Sequence, residues 1–537
     1  MIKKDSILLV LVIATTFIFV SAGSQEIAAE KEFTWATRGA FSSFEPHNIA
    51  STFVLGFLQN VYEGLTIRDS ESFEIVPALA TSWRTISDSE WEFTLRQGVS
   101  FHEGHSFTAS DVVFSWERAK KADDPASVVA RIKNVTAQDD YTVIVDTGTP
   151  DPILPATIAS LLIIDEDWAK EVGVEEPASA TDTETSYITR NVNGTGPFSL
   201  AEFDPSGTIH LERFEGYWGA EDLVTNIDRA SYVAIGEDST RVASILSGDV
   251  DLIIPFPVSD WVNFQDNDSI DVLTGLEART IFLGLDQLRE ELIGGEGQGS
   301  NPFKDIRVRE AVNLAIDRDT INEKIFYNSV KPAGTLLPPG TTGYDEELNQ
   351  PYEYNPEKAK SLLAEAGYPD GFSVTLDVPN DRYVKDEDVG QAVANYLGQI
   401  GIDVTVSART RTQHFSRIFR QGDYNTSFYM LGWGPAALDG YSVLSDLISS
   451  RTIGDGLGVY NIGAYENPRI NEITQQVGSE LDSELRNSLI REALSIAKED
   501  FSYIPLYTQP LLWGVSKNID AILRADDTLD LRYVTVN

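Results

Sequence analysis

Not one cysteine occurs among the 537 residues, yet the chain opens like an exported protein. Lys3 and Lys4 precede an uncharged, mostly apolar run from Ile7 to Val20, and Val20-Ser21-Ala22 offers a small-residue cleavage site before Gly23. That is the pattern of a secretory signal peptide over residues 1–22, and the run is too short to span a bilayer comfortably. An exported chain without disulfides must hold together by hydrophobic burial alone. Removing the 22 signal residues from 537 leaves 515, more than the roughly 250–300 at which a single core stops growing. Two or three domains are expected. Without an acceptor cysteine for lipid after the signal, a free periplasmic protein of a Gram-negative bacterium is expected over a lipoprotein.

The charge excludes some partners. With 41 Lys and Arg against 83 Asp and Glu, the formal net charge is −42. Nucleic acid and anionic lipid need clustered cations, so neither is expected as a partner. No later stretch is long and apolar enough to insert in a membrane.

Strand and helix signals alternate along the chain. Ser89 to Leu95 places Trp91, Phe93 and Leu95 on one face, the period of a half-buried strand. Tyr141–Val145 and Thr208–Leu211 repeat it. In YNPEKAKSLLAEAGYPDG, Asn355 caps, Pro356 starts, Leu362, Leu363 and Ala366 form the apolar face, and Gly367 ends a helix. Thr320 and Glu323 are spaced as a capping box, and Asn467–Lys498 carries two more helical patterns. Residues 178–186 read as a polar surface loop, and the glycine-rich 294–301 as a mobile loop or linker. The class is α/β with several lobes.

The stretch FHEGHSFTASDVVFSWERA, from Phe101, holds two of the five histidines. A zinc enzyme wants two histidines four apart on one helix face and a third ligand elsewhere. Here His102 and His105 are three apart across Gly104, and His47, His210 and His414 show no ligand spacing. Thr108 and Asp111 match a capping box before Val112, Val113, Phe114 and Trp116. The stretch is therefore a strand–turn–helix corner, with no metal site. No phosphate loop, no G-x-S-x-G elbow and no cysteine nucleophile is present. Nothing singles out two of the 83 acids as a glycosidase pair, and no cofactor is implied.

The run from Pro77, PALATSWRTISDSEWEFTLRQGVSFHEGHSFTASDVVFSWERA, closely resembles the signature region of the family 5 extracellular solute-binding proteins, the oligopeptide, dipeptide and nickel-type receptors of ABC importers. In that family a strand precedes a His-acidic-Gly turn and a Thr-Ala-x-Asp-Val-Val helix start, matched by His102, Glu103, Gly104 and Thr108–Val113. GTGPFSLAEFDPSGTIHLERFEGYWG (194–219), VREAVNLAIDRDTI (308–321), YNPEKAKSLLAEAGYPDGF (354–372) and ENPRINEI…FSYIPLY (466–507) resemble further family blocks in the family's order.

The resemblance implies a type II periplasmic binding protein fold, two-lobed with an extra inserted domain, its mixed sheets flanked by helices. Lobe I would comprise 23–65, 195–285 and 505–537, the inserted domain 66–194, and lobe II 286–504. Such a monomeric receptor does no chemistry: it closes on a solute and presents it to the membrane permease with its ATPase. The resemblance places the cleft on Glu45–Tyr62, with Thr52, Phe53 and Tyr62, and on LGWGPAALDGYS (431–442). Gly432 and Gly434 would offer main chain to an extended ligand, Trp433 a wall, and Asn461 a further contact. Peptide-binding members carry an aspartate three residues after this tryptophan, where Ala436 stands here; Asp439 either substitutes for it or holds the turn. The ligand stays open between a peptide and an opine, glycoside or other small solute. A secreted hydrolase of carbohydrate or peptide and a peptide-binding chaperone are the alternatives.

Overall fold

The computed structural model describes residues 30–41, 43–48, 52–123, 127–179, 186–204, 206–265, 267–294, 299–419, 423–451 and 456–537. The signal segment and the middle of the 178–186 and 294–301 stretches lie outside these residues.

Two long strands organise the molecule. Ile270–Leu285 and Tyr503–Ser516, of 16 and 14 residues, pair antiparallel over most of their length, far beyond the usual strand of about 5–6 residues. Toward one end, Tyr503–Ser516 pairs with Leu252–Ile254, which leads on to Glu32–Thr37, Arg229–Ala234, Ile209–Arg213 and Phe198–Phe203. Toward the other, Ile270–Leu285 pairs with Phe428–Trp433, which leads on to Phe372–Pro379 and Ile402–Arg409. The result is one 11-stranded mixed sheet. Tyr503 to Val515 is buried at every position, as its run of apolar residues requires of a strand covered on both faces.

The pairing of the long strands slips by one residue between Ile281 and Phe282 and breaks more widely at a second place. Leu276 faces Pro510 and Thr280 faces Thr508, so Glu277, Ala278 and Arg279 are accommodated opposite Gln509 alone. A bulge of this kind turns side chains out of the pleat. Here it lies midway along the strands that join the two sets of neighbours.

A separate antiparallel sheet runs Ala80–Thr85, Glu90–Leu95, Thr142–Asp146, Asn134–Asp139. Trp91, Phe93 and Leu95 alternate inward from it as the period-2 pattern requires, and Val112 and Trp116 of the helix Ala109–Ala119 complete the same core. Further cores gather around Trp35, Phe57, Tyr232 and Trp513, around Leu283, Val374, Leu376 and Val393, and around Leu431, Val443, Ile470 and Ile490. Each fully buried side chain of this size contributes about 1.5–3 kcal/mol. The burial a disulfide-free chain needs is thus spread over several cores.

Local signals mostly appear where the sequence puts them. Asn355 accepts the Lys358 N–H at 3.0 Å and Pro356 opens the helix Pro356–Glu365. The corner after Phe101 also forms as expected: Thr108 donates its N–H to Asp111 Oδ2 at 2.8 Å. Gly104 takes φ +97, a conformation a side chain would resist. Among the described residues no cluster of His, Cys, Asp and Glu could hold a metal. His102 instead exchanges hydrogen bonds with main chain, Nε2 with Gly196 O at 3.0 Å and Nδ1 with the Gly194 N–H at 3.3 Å. His105 pairs with Asp165 at 2.8 Å.

One expectation needs correction. The cap of the helix Arg318–Ile325 is Asp317, which accepts from Thr320 N at 2.9 Å; an aspartate three residues earlier outcompetes the Thr320–Glu323 box. A second detail concerns the end of the 294–301 stretch, where buried Asn301 anchors the chain by donating to the carbonyls of Asp286 and Arg289 at 2.8 and 3.1 Å.

Candidate functional site

The bulge opens into a cavity of about 800 Å³, within the roughly 300–1,000 Å³ of ordinary ligand sites. Trp35, Phe53, Phe57 and Phe256 line one wall, and Arg382, Tyr383 and Val384 the wall facing it. Glu277, Arg279, Gln509 and Asp527 lie between. A second chamber of about 430 Å³ shares Gly56, Asn60, Glu277, Arg279, Thr528 and Leu529 with the first and adds Leu55, Ile67, Pro435 and Leu438. The two form one cleft, with Glu277 and Arg279 common to both chambers and further charged side chains, such as Arg38, Asp388, Arg524 and Arg532, among the apolar ones along its walls.

The central charges come from three segments. Arg279 Nε donates to Glu277 Oε1 at 2.7 Å, both side chains nearly buried. Burial works against the guanidinium, but Glu277 outweighs it and holds Arg279 above its ordinary pKa. Gln509 donates to Glu277 Oε2 and accepts the Val384 N–H at 3.2 Å, linking the bulge to the opposite wall. The C-terminal segment docks on the bulge, where the Ala278 N–H donates to Ala525 O at 2.7 Å. That contact sets Asp527 beside Glu277, with Oδ1 accepting from Trp513 Nε1 at 2.9 Å. Burial first, and then Glu277, push the Asp527 carboxyl up to about 7.

Arg382 differs from the other guanidiniums. Its backbone is fixed because Asp386 Oδ2 accepts the N–H groups of Arg382 and Tyr383, both at 3.0 Å. Its side chain lies 5.1 Å from the Tyr383 ring centroid and forms no ion pair with any described residue. Desolvation, then the nearby Arg279 charge, lower its pKa. A half-buried cation facing a second cation is a place where an anionic group gains.

The residues singled out in the sequence scatter. Phe53 stands on the cavity wall and packs on Tyr232 at 6.1 Å between centroids. Thr52 begins the helix Thr52–Leu58. Gly434 lines the smaller chamber, where a Cβ would meet Ala278 O at 3.1 Å. Gly432 is closed off instead: its N–H donates to Tyr383 Oη at 2.8 Å, and a Cβ would meet Ile281 Cδ1 at 2.6 Å. The glycine is there for packing.

Trp433 packs with the core around Leu431 and Val443, its ring 4.9 Å from that of Tyr460 and its Nε1 donating to Ser442 Oγ at 3.4 Å. Tyr62 is fully buried in the core around Phe57 and Trp513. Buried Asn461 donates to the carbonyls of Ser449 and Tyr465 at 2.9 and 2.8 Å. Asp439 is bound by Arg486 through two hydrogen bonds of 2.6 and 2.7 Å and accepts the Tyr441 N–H at 2.8 Å. Of the two roles open to Asp439, its bonds are those of a residue that holds the turn.

Two facing walls across a charged floor, on strands that run from one side to the other, define a binding protein of the type II periplasmic class with an α/β fold. Residues 74–455 match the model of the bacterial extracellular solute-binding proteins, family 5, middle region, and the chain belongs to that family. The resemblance read from the sequence is thereby borne out, and the chain is a solute receptor of the kind that ABC importers use. It is 26% identical over 516 residues to the glutathione-binding protein GsiB of Escherichia coli strain K12, covering 93% of each chain. In structure it is similar to a dipeptide-binding protein from Pseudoalteromonas sp. SM9913 in complex with Met-Leu, with TM-score 0.75, 20% identity and coverage of 94% and 100%. It is also similar to the ABC transporter-associated periplasmic binding protein DppA of Helicobacter pylori in complex with the peptide STSA, with TM-score 0.73, 22% identity and coverage of 94% and 98%. Among the described residues no helix is long and apolar enough to cross a membrane.

Proposed function

We propose that this receptor works in the periplasm as a monomer, captures a short peptide or peptide-like solute in the cleft around Glu277 and Arg279, and delivers it unchanged to an ABC permease. The observation that carries the peptide reading is Arg382. It is a half-buried guanidinium with no ion-pair partner among the described residues, on the wall of a cavity that suits a small solute. A carboxylate terminus would satisfy it with a charge-assisted bond. The names of GsiB and of the dipeptide-bound neighbour support the same class.

The lobes of this reading are 23–65, 195–285 and 505–537 on one side and 286–504 on the other, with 66–194 inserted. In this division the chain crosses between the lobes at 285/286 and 504/505, at one end of the two long strands, so the bulge stands on the first lobe and Arg382 on the second. A ligand touching both walls favours the closed form by the contacts that exist only there. Phe53 and Gly434 serve as cleft residues in this scheme, and the exported chain loses residues 1–22 and carries no lipid.

The test is thermal melting and calorimetry with di- and tripeptides, including Met-Leu and glutathione, beside opines and glycosides. A peptide at 100 times its Kd should add about 2.7 kcal/mol of stability and be recovered intact. Binding of an opine or glycoside alone, or recovery of an altered molecule, ends the peptide-receptor reading.

A further inference from the structure

Three acids meet where the C-terminal segment docks on the bulge, and only two are neutralised. Asp526 Oδ2 accepts from Arg524 Nη2 at 2.6 Å, and Glu277 accepts from Arg279 at 2.7 Å. Asp527 has one neutral partner, the Trp513 indole N–H, and its Oδ2 has none among the described residues. The residue lines the larger chamber. Its loop is rigidly built: the Asp527 N–H donates to Arg524 O at 3.0 Å, Ala525 O accepts from Ala278, and φ at Asp527 is +56. The carboxylate is therefore held in place, desolvated and short of one positive charge.

The Asp439 carboxylate is taken by Arg486 and is not free for a ligand. We infer that Asp527 binds the ammonium group of the ligand, while Arg382 takes its carboxylate. This inference rests on the peptide reading above and narrows it to zwitterionic ligands with a free amine. Arg279 acts on both Asp527 and Arg382 through its charge, so the two recognition groups flank one centre. The raised pKa of Asp527 agrees with the assignment, since burial and Glu277 already disfavour a lone negative charge there.

The experiment measures Kd of the full chain for Met-Leu and glutathione and for their N-acetylated forms, in wild type and in Asp527→Asn. Asparagine keeps the shape, can still accept from Trp513, and tolerates a left-handed backbone better than most residues. Wild type should prefer the free amine by about tenfold or more, the effect of one charge-assisted bond. In Asp527→Asn that preference should collapse, with affinity for the acetylated peptides unchanged and the melting temperature of the empty protein at or above that of wild type. Equal binding of both forms by wild type, or a preference retained in the variant, overturns the assignment and leaves the peptide reading standing. If no peptide binds wild type, both fall together.

Discussion

Asp439 and Arg486 form a bidentate ion pair, 2.6 and 2.7 Å between heavy atoms, with both side chains almost wholly out of solvent. The pair joins the loop after Phe428–Trp433 to the helix Ser483–Glu499, and Arg486 also donates from Nε to Val477 O at 3.2 Å. Removing one partner strands a buried charge, which costs about 3–5 kcal/mol. Asp439→Ala should therefore lose that much in urea unfolding while the remaining folded protein binds ligand with wild-type affinity. Normal stability with lost binding would make Asp439 a ligand residue after all.

Trp433 tests the same distinction for an aromatic side chain. The indole packs on Tyr460 and donates to Ser442, so its truncation opens space in a core rather than in the cleft. Trp433→Ala should lower the stability of the empty protein by about 2–4 kcal/mol, somewhat below a fully buried large-to-small change. The further stabilisation gained on adding ligand should stay the same. Loss of the ligand increment with an unchanged empty protein would return Trp433 to the cleft wall.

Arg382 should behave in the opposite way. Its guanidinium has no ion pair to lose and feels the repulsion of Arg279, so Arg382→Gln should leave the empty protein as stable as wild type or slightly more so. Affinity for a peptide with a free carboxylate should fall about 10- to 100-fold, the range for a hydrogen bond between charged groups. A C-terminally amidated peptide should bind both proteins equally. Calorimetry with the two peptides checks this, and equal losses for both would show that Arg382 only shapes the wall.

These contrasts show what a linear reading can reach. Helix starts such as Asn355-Pro356 and alternation such as Trp91, Phe93, Leu95 are local, and they appear in the structure where the sequence puts them. The site is not local. Glu277 and Arg279 sit in an ordinary strand pattern, and only the pairing of Leu276 with Pro510 and of Thr280 with Thr508 shows that they leave the ladder. Asp527 joins them from the far end of the chain through one hydrogen bond, from Ala278 to Ala525. Gly432 and Asp439 are ambiguous for a related reason: glycine and aspartate suit both ligand sites and tight packing, and their partners Tyr383 and Arg486 lie 49 and 47 residues away.

His102 gives the fold a pH-sensitive joint. Burial, its largest cause, lowers the pKa from 6.5 to about 4, against the hydrogen bond with Gly196 O. The folded form therefore holds the neutral ring between about pH 4 and 6.5, whereas the unfolded chain takes up a proton there. Stability from this group is complete above pH 6.5 and lost as pH falls toward 4, by about 1.4 kcal/mol per pH unit. Asp111 and Asp446, each raised to about 6 chiefly by burial, shift stability the other way over part of that window, so the wild-type profile alone does not isolate the histidine. A comparison with His102→Gln does. At pH 7 the variant should be less stable by about 1–2 kcal/mol for the lost bonds to Gly194 and Gly196. As pH falls from 6.5 to 5 the gap should close by about 2 kcal/mol, because glutamine takes up no proton. Urea unfolding of both proteins at half-unit intervals measures the gap directly. A gap independent of pH would mean that the ring is protonated in the folded protein and that the corner accommodates its charge.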